Sequence, residues 1–379
     1  MKKIFSILSL FLLLTSCSTS SSGDPVVSSA SSQSPSSSWE TAVPSSQSSS
    51  ENELISGASH GEQAPSSPSE SPSPDTPQAE QSEPISPWEY QKLLKKGMDV
   101  DWSKTNQGRA YYSSQIPLHF HQAGISHVRI RVRDPLDTQL LQSLDRQISD
   151  CLENSIIPII AYQADDFKNN PSDEELARVV EWWGSIAEHY QDASPLLSFD
   201  LLIEATDALN KDSDALNRLY EAVVTEIRKT NPRRILMISP RLRSNPDYLH
   251  ELKIPSQHNG FLMAEWHFYA AGPSPTNEKK LWTTGTPEEK QLVLDYIDAA
   301  LQWQEQTDIP TWVGAWMPGN YNDGNDYSVD EQCVFASFVT KALTDAGIPF
   351  AVNSDTKFYD REKGQWISQM EPVRLAIFF

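Results

Sequence analysis

Cysteine and glycine are both scarce in this chain of 379 residues, which contains three cysteines and 15 glycines. Neither a P-loop nor a GxGxxG turn occurs, so the sequence gives no sign of a nucleotide site. No HExxH pattern or zinc-type Cys/His spacing occurs either, so we expect no metal and no cofactor. Cys151 and Cys333 fall in predicted helices, and the sequence leaves open whether they pair or remain buried thiols.

Lysine and arginine are absent from residues 18–84, a segment made mostly of Ser, Pro, Glu and Gln. Large apolar side chains are few there, so burial cannot offset the entropy that ordering the segment would cost. We therefore interpret residues 17–86 as a disordered tether ahead of a domain over 87–379. That domain carries 28 basic and 42 acidic residues, a net charge of −14. This charge argues against nucleic acid as a partner and is compatible with a neutral polysaccharide, and no protein partner is indicated.

No apolar run in the sequence is long enough to span a bilayer as a helix. The run Ile4–Leu14 follows Lys2 and Lys3, as in a signal peptide, and leads through Thr15-Ser16 into Cys17. Small residues before a cysteine resemble a bacterial lipobox, which predicts a lipoprotein signal over 1–16, acylation of Cys17 and membrane contact through the lipid alone. The protein would then lie on the extracytoplasmic face of a bacterial cell membrane. The alternative is an ordinary secretory signal with a chance cysteine.

Short apolar runs alternate with amphipathic helical stretches through the whole of 87–379. Eight runs have the length and composition of buried strands: Gly97–Val100, His127–Arg131, Ile157–Ala161, Ser198–Ile203, Ile235–Ile238, Gly260–Phe268, Thr311–Ala315 and Pro349–Asn353. The helical stretches are Asp137–Leu152, Ser172–His189, Ser213–Thr230, Pro287–Gln306 and Val329–Ala346. This count predicts a (β/α)8 TIM barrel, and no Gly-rich turn follows the first strand as a doubly wound sheet would show.

Acidic, aromatic and imidazole side chains stand where several of these predicted strands end. The sixth strand carries Glu265, His267 and Tyr269, and Glu204 ends the apolar run Leu201–Ile203. In a barrel of this kind the active site forms at the carboxyl ends of the strands. Aromatic faces stack on sugar rings while acids and amides bond hydroxyl groups, so these strand ends predict a sugar-binding site.

In their order along the domain, these motifs resemble glycoside hydrolase family 5, a cellulase-like clan of retaining barrel glycosidases. The resemblance rests on the runs His127-Val128-Arg129-Ile130, Leu201-Leu202-Ile203-Glu204, His267-x-Tyr269 and Trp312-Val313-Gly314. It implies that Glu204 is the general acid/base and that Arg129 supports a nucleophile at the end of the seventh strand. It also implies that His267 and Tyr269 position the substrate.

The chain departs from the family at the nucleophile position, which is occupied by Ala315. A retaining glycosidase needs two carboxyl groups about 5 Å apart, and alanine can neither attack the sugar nor stabilise its charge. Glu265 is the leading substitute, because the two-residue strand period points it to the same side as His267. Its alternative role is that of a buried structural acid bonded to Arg129 or Arg131.

Four further residues at strand ends are predicted to contact the sugar: Asp99, Trp102, Trp316 and Asn320. The apolar strand around Glu204 is expected to raise its pKa, as a general acid requires. We therefore expect a surface-anchored hydrolase of a β-linked poly- or oligosaccharide. The alternative is a barrel that has lost catalysis and serves as a glycan-binding surface lipoprotein. A third possibility is a cell-envelope protein whose barrel serves only interactions, and an apolar or closed pocket mouth would favour it.

Overall fold

A computed structural model describes residues 83–269, 281–321 and 327–379. The predicted signal segment, Cys17 and the tether up to residue 82 lie outside these residues. Eight parallel strands close into a barrel in their order along the chain. They are β1 (Lys96–Ser103), β2 (His127–Val132), β3 (Ile157–Tyr162), β4 (Ser198–Asp200), β5 (Leu236–Ile238), β6 (Leu262–Phe268), β7 (Thr311–Trp316) and β8 (Phe350–Asn353). The predicted (β/α)8 TIM barrel is therefore confirmed.

One helix, α1, precedes the first strand, and the other helices follow strands. Those of the described residues are α1 (Pro87–Leu94), α2 (Asn106–Ala110), α3 (Gln115–Gln122), α4 (Thr138–Glu153), α5 (Asp165–Asn169), α6 (Asp173–His189), α7 (Ser213–Ile227), α8 (Arg241–Ser244), α9 (Pro287–Thr307), α10 (Val329–Asp345) and α11 (Glu371–Phe378). Short 3-10 turns lie at Leu209–Lys211, Pro246–Glu251, Asp355–Lys357 and Ser368–Met370, and a small hairpin pairs β9 (Tyr359–Asp360) with β10 (Gln365–Trp366). The five long helices predicted from the sequence correspond to α4, α6, α7, α9 and α10, and each predicted boundary lies within three residues of the observed one.

Three of these long helices begin at the capping residues that the sequence contains. The side chains of Ser172, Thr286 and Ser328 each accept a hydrogen bond from the backbone N–H three residues later. At Thr286 and Ser328 the third helical residue is a glutamate that bonds back to the capping backbone. These reciprocal bonds satisfy donors that the helix start would otherwise leave unpaired, which is why the predicted starts are close to the observed ones.

Helix α1 closes the amino-terminal end of the barrel. Tyr90 and Leu94 are fully buried and pack with side chains near the strand starts, among them Ile159, Met237 and Trp312. The Tyr90 hydroxyl donates to the carbonyl of Leu196 at 2.8 Å. The chain therefore enters the barrel at the end opposite the carboxyl ends of the strands.

Strand β4 is shorter than predicted and ends at Asp200 rather than at Ile203. The next residues remain bonded to the neighbouring strands, because the Leu201 amide donates to Met237 and the Ile203 amide to Tyr162. Glu204 then has a φ of +56°, a left-handed conformation that few residues with a side chain adopt. The backbone therefore turns sharply at the residue predicted to carry the chemistry.

The two cysteines of the domain are unpaired, Cys151 fully buried in α4 and Cys333 partly buried in α10. Of the two possibilities, a disulfide or free thiols, the structure shows free thiols. Within the described ranges, no helix combines the length and apolar character needed to cross a membrane.

Candidate active site

Glu204 and His267 meet at the carboxyl ends of β4 and β6. The Nδ1 atom of His267 lies 2.8 Å from Oε1 of Glu204, and Nη1 of Arg243 donates to the other oxygen at 3.2 Å. The Glu204 side chain keeps 14% of its surface exposed, whereas the His267 side chain keeps 1%. Glu204 is therefore an acid that solvent can reach, held from below by an imidazole and from the side by a guanidinium.

The second nitrogen of His267 contacts a second glutamate. Nε2 lies 2.5 Å from Oε1 of Glu265, which is fully buried. The two-residue strand period had placed Glu265 and His267 on one side of β6, and the structure shows them in contact. The imidazole ring also meets the ring of Tyr269, half-buried, with centroids 5.8 Å apart.

Arg129 forms the centre of a buried charged layer beneath His267. Its Nη2 lies 2.6 Å from Oδ2 of Asp200 and 2.7 Å from Oε1 of Glu265, and its Nη1 lies 3.5 Å from Oδ1 of Asp99. Arg131 takes the other Asp99 oxygen at 3.3 Å. Because all these side chains are closed to solvent, the pairs are needed to offset the desolvation of each charge.

The charges fix the protonation of the site. Burial would raise the pKa of Glu204, but its bond to His267 and the nearby charges of His267, Arg243 and Lys168 lower that pKa to about 2. Burial would likewise lower the pKa of His267, but the charge of Glu265 and the bonds to both glutamates raise it to about 9. At neutral pH the site is therefore an imidazolium between two carboxylates, and the expected raised pKa of Glu204 is wrong.

Strand β7 contributes small residues to this region. Ala315 pairs with His267 in the sheet, after an irregularity in register that falls at Gly314. A Cβ atom on Gly314 would fall on the carboxylate of Glu265, so glycine alone lets that carboxylate lie against the strand. Strand β7 therefore brings only the methyl group of Ala315 next to His267. The carboxylate that lies against β7 in the described residues belongs to Glu265, from β6.

Comparison with known proteins now assigns the family. The model of the cellulase family (glycosyl hydrolase family 5) matches residues 91–352. The chain belongs to this family. Its members are glycoside hydrolases, and the eight-stranded barrel and the ordered strand-end motifs agree with that assignment.

The individual relatives are distant. Endoglucanase H of Acetivibrio thermocellus is 23% identical over 311 residues, which are 76% of this chain and 33% of that protein. The chain thus spans about a third of the length of this curated relative. The structure of endoglucanase Cel5A from Thermotoga maritima superposes with a TM-score of 0.68 at 19% identity, covering 77% of this chain and 100% of the other. The cellulose synthase subunit Z of Clostridioides difficile gives 0.64 at 20%, covering 76% and 100%. These two likenesses show the fold.

The two tryptophans predicted to contact sugar are buried in this family 5 barrel. Trp316 is fully buried and packs between β7 and the helix layer, with ring centroids 5.9 Å from Phe335 and 5.7 Å from Phe350. Trp102 is also fully buried, and its Nε1 donates to Asp355 at 3.1 Å. The predicted sugar platforms at Trp316 and Trp102 are therefore wrong, because neither ring has a face open to a ligand.

The other residues predicted to contact sugar differ in how far they are buried. Asp99 is 1% exposed and Asn320 is 3% exposed, so neither presents a free side chain to a sugar. Asp99 instead supports Arg129, which is itself fully buried and acts on the site from beneath. Tyr269 remains at the mouth, where its side chain is hydrogen-bonded to Asn353.

Two roles were considered for Glu265, a substitute nucleophile and a buried structural acid, and the structure favours the structural acid. It has no exposed surface, and one oxygen already serves both Arg129 and His267. A nucleophile must reach the sugar C1 along an open path. The prediction that Glu265 takes over as nucleophile is therefore wrong for this structure, while its predicted bond to Arg129 is present.

Sequence reasoning missed three residues of the site. Arg243 reaches Glu204 from α8, where Leu242, Arg243 and Ser244 all have left-handed φ values between 56° and 59°. Lys168 is 2% exposed and donates to Gln163 at 2.8 Å, and burial lowers its pKa to about 8. Asp200 lies under the site in β4. Only Asp200 left a signal, since an acid inside an apolar strand requires a partner.

Proposed function

We propose that this family 5 barrel is a β-glucan-binding protein of the cell surface that does not carry out retaining hydrolysis. The observation that carries the proposal is Ala315 beside His267, at the position where the family places its nucleophile. The nearest described acid, Glu265, is closed to solvent and bonded to cations. Double displacement requires an accessible second carboxylate, and the described residues offer none at that place.

The state of Glu204 supports the same conclusion. A general acid must hold a proton at the working pH, and the pKa of Glu204 is lowered to about 2. Glu204 thus accepts hydrogen bonds from sugar hydroxyl groups more readily than it protonates a leaving group. Arg243, whose side chain is 36% exposed, adds donors beside it. The mouth therefore keeps groups suited to binding a sugar.

The attachment of the barrel suits display at a surface. Helix α1 covers the amino-terminal ends of the strands, so the segment before it joins the barrel opposite the site. If Cys17 is acylated and residues 17–86 form a tether, that tether would join the barrel at the end that does not carry the site. We include this anchoring, and the extracytoplasmic location that follows from it, in the proposal.

A second candidate function is inverting hydrolysis, which the ionised and partly exposed Glu204 favours. A carboxylate of low pKa can activate water, and an inverting site needs no residue at Ala315. The acid partner would have to come from another strand end or from residues 270–280 or 322–326, which lie outside the described residues.

The deciding experiment uses the secreted chain from Ser18 onward, without the lipid. Binding and reducing-sugar release are measured on the same panel of β-glucans, mannans and xylans. Glu204→Gln tests the site, and Glu221→Gln, an exposed acid on α7 bonded to Ser256, is the control. We expect β-glucan binding without sugar release, with binding weakened by Glu204→Gln alone.

Turnover that inverts the anomeric centre and disappears in Glu204→Gln would support the second candidate instead. Turnover with retention would reject the proposal outright. Absence of both binding and turnover would reject β-glucan as the ligand.

A further inference from the structure

Three carboxyl oxygens in the layer beneath the site lack a hydrogen-bond donor among the described residues. One of them, Oδ2 of Asp99, lies 3.3 Å from Nη1 of Arg131, which leaves two. They are Oδ1 of Asp200 and Oε2 of Glu265, both buried. The partner oxygens of the same two groups both lie against Nη2 of Arg129, at 2.6 and 2.7 Å, and Nε of Arg129 donates to Oδ2 of Asp200 at 2.7 Å. The two carboxyl groups therefore lie side by side, and their side chains are in hydrogen-bonding contact with each other.

Two ionised carboxylates cannot hydrogen-bond to each other, because neither has a proton to donate. In a buried site their repulsion is strong, and carboxyl pairs in such positions commonly retain one proton between them. The local cations do not remove the need for it. Arg131 is engaged by Asp99 and Asp101, and Arg243 by Glu204, which leaves Arg129 and His267 to face the pair. Each of these two cations is also shared with a further carboxylate, Arg129 with Asp99 and His267 with Glu204.

We propose that Asp200 and Glu265 share one proton, carried on Asp200 Oδ1 and donated to Glu265 Oε2. Glu265 is then the positioning residue that holds His267 as an imidazolium against Glu204. Glu265 would do so from β6, as the only carboxylate in contact with both Arg129 and His267 among the described residues. The inference concerns the same site as the proposed function but does not depend on it, because its readout is a proton and not a sugar.

Several charged groups surround this pair and must be considered in any titration. Those that face the pair or its partner His267 are Arg129 from β2, Asp99 from β1, Tyr220 from α7, Glu204 after β4 and Tyr269 after β6. Glu204 is in turn near Arg243 and Lys168. Burial, above all, raises the pKa of Asp200, whereas the charges of Arg129 and His267 lower that of Glu265 despite its burial. These directions assign the proton to Asp200.

The test compares two nearly isosteric variants of the full secreted chain. Asp200→Asn replaces the proposed O–H donor with an N–H donor, so the contact to Glu265 and the charge of His267 should survive. Glu265→Gln removes the anion itself, and we expect the pKa of His267, followed by NMR of its ring, to fall by about one unit or more. His267→Gln assigns the resonance, and Glu221→Gln controls for the loss of a distant acid.

If the pKa of His267 fell equally in Asp200→Asn and Glu265→Gln, Asp200 would be an anion in the native protein, and the shared proton would be overturned. An unchanged His267 titration in Glu265→Gln would overturn the positioning role. If Glu265→Gln fails to fold, infrared spectra of the unsubstituted protein decide. The proposal requires a protonated carboxyl band at neutral pH that is lost in Asp200→Asn, and absence of that band would reject it. Sugar binding can fail or succeed without affecting any of these readouts.

Discussion

At the scale of single residues, the site at the mouth of this barrel is defined by which residue supplies the carboxylate next to Arg129 and His267. Arg129 and His267 keep the positions of their family motifs, but Ala315 brings no carboxylate to β7. Glu265 on β6 supplies the anion instead, from a buried position one layer deeper. Without Glu265, Arg129 and His267 would each lose one buried counter-charge, which would cost up to several kcal/mol, so Glu265 contributes to stability whether or not the site binds sugar.

This placement predicts that Ala315→Glu alone will not create a retaining hydrolase. Arg129 is already neutralised, and a second glutamate beside Glu265 would be repelled or protonated. Ala315→Glu combined with Glu265→Ala frees both the space and the cation, so only the double variant should release aryl alcohol from an activated aryl β-cellobioside. Equal activity of the single and double variants would refute this reasoning. Glu265→Ala by itself is the matched control and should remain inactive.

Gly314 gives a second prediction at this scale. Gly314→Ala would drive a methyl group into the Glu265 carboxylate and displace it from Arg129 and His267. We expect a loss of about 3–5 kcal/mol in the free energy of unfolding, measured by urea denaturation. Gly184→Ala in α6 is the control, since its new methyl group would meet only the flexible side chain of Glu226. Alanine in a helix should there be neutral or stabilise by up to about 1 kcal/mol. Equal effects of the two substitutions would contradict the close approach.

At the scale of elements, the periodicity of the sequence was sufficient for the barrel. Eight strands and five long helices could be placed because apolar period and capping residues are local properties. Strand β4 was predicted too long because Leu201–Ile203 is as apolar as a strand. In the structure the strand ends at Asp200, before Glu204. Helix α1 was missed although Ser86 and Glu89 form a capping box and Pro87 stands in the first turn, because eight residues are too few for an apolar period to stand out.

Helix α1 supports a prediction about how the barrel is closed. Leu94→Ala should cost about 2–5 kcal/mol, because Leu94 is fully buried among side chains from the strand starts. The neighbouring Leu93 is 42% exposed, so Leu93→Ala should change stability by less than about 1 kcal/mol. Thermal and urea unfolding of the two variants measure the difference. Similar losses for both would mean that α1 does not close the barrel end.

At the scale of the whole molecule, the family and the candidate strand ends could be predicted, but the protonation of the site could not. The strand ends are readable because polar residues that follow apolar runs stand out in the sequence. The charge of Glu204 depends on Arg243 and Lys168, which reach it from α8 and α5 across the mouth. Trp316 was misplaced for a related reason, since the irregularity at Gly314 turns it outward into the helix layer. Such features arise only when distant strands meet.

The charged site also predicts how stability depends on pH. The pKa of His267 rises on folding from 6.5 to about 9, so its stabilisation is complete below pH 6.5 and is lost as pH rises through 9. The pKa of Glu204 falls from 4.5 to about 2, so its contribution is present above pH 4.5 and is lost as pH falls through 2. The site is therefore most stabilising between pH 4.5 and 6.5. The two shifts describe one ion pair and are not added together.

The pH effect is measured as a difference between two proteins, because Lys168 acts in the opposite direction. Burial lowers the pKa of Lys168 to about 8, so its penalty fades as pH rises toward 10.5 and would mask the loss at His267. The free energy of unfolding is therefore compared at pH 6 and pH 10 for the native chain and for His267→Gln, which retains Lys168. The native chain should lose about 3 kcal/mol more than the variant over this interval. Parallel pH profiles would mean that His267 is neutral in the folded protein, and the ionised state of Glu204 would then lose its main support.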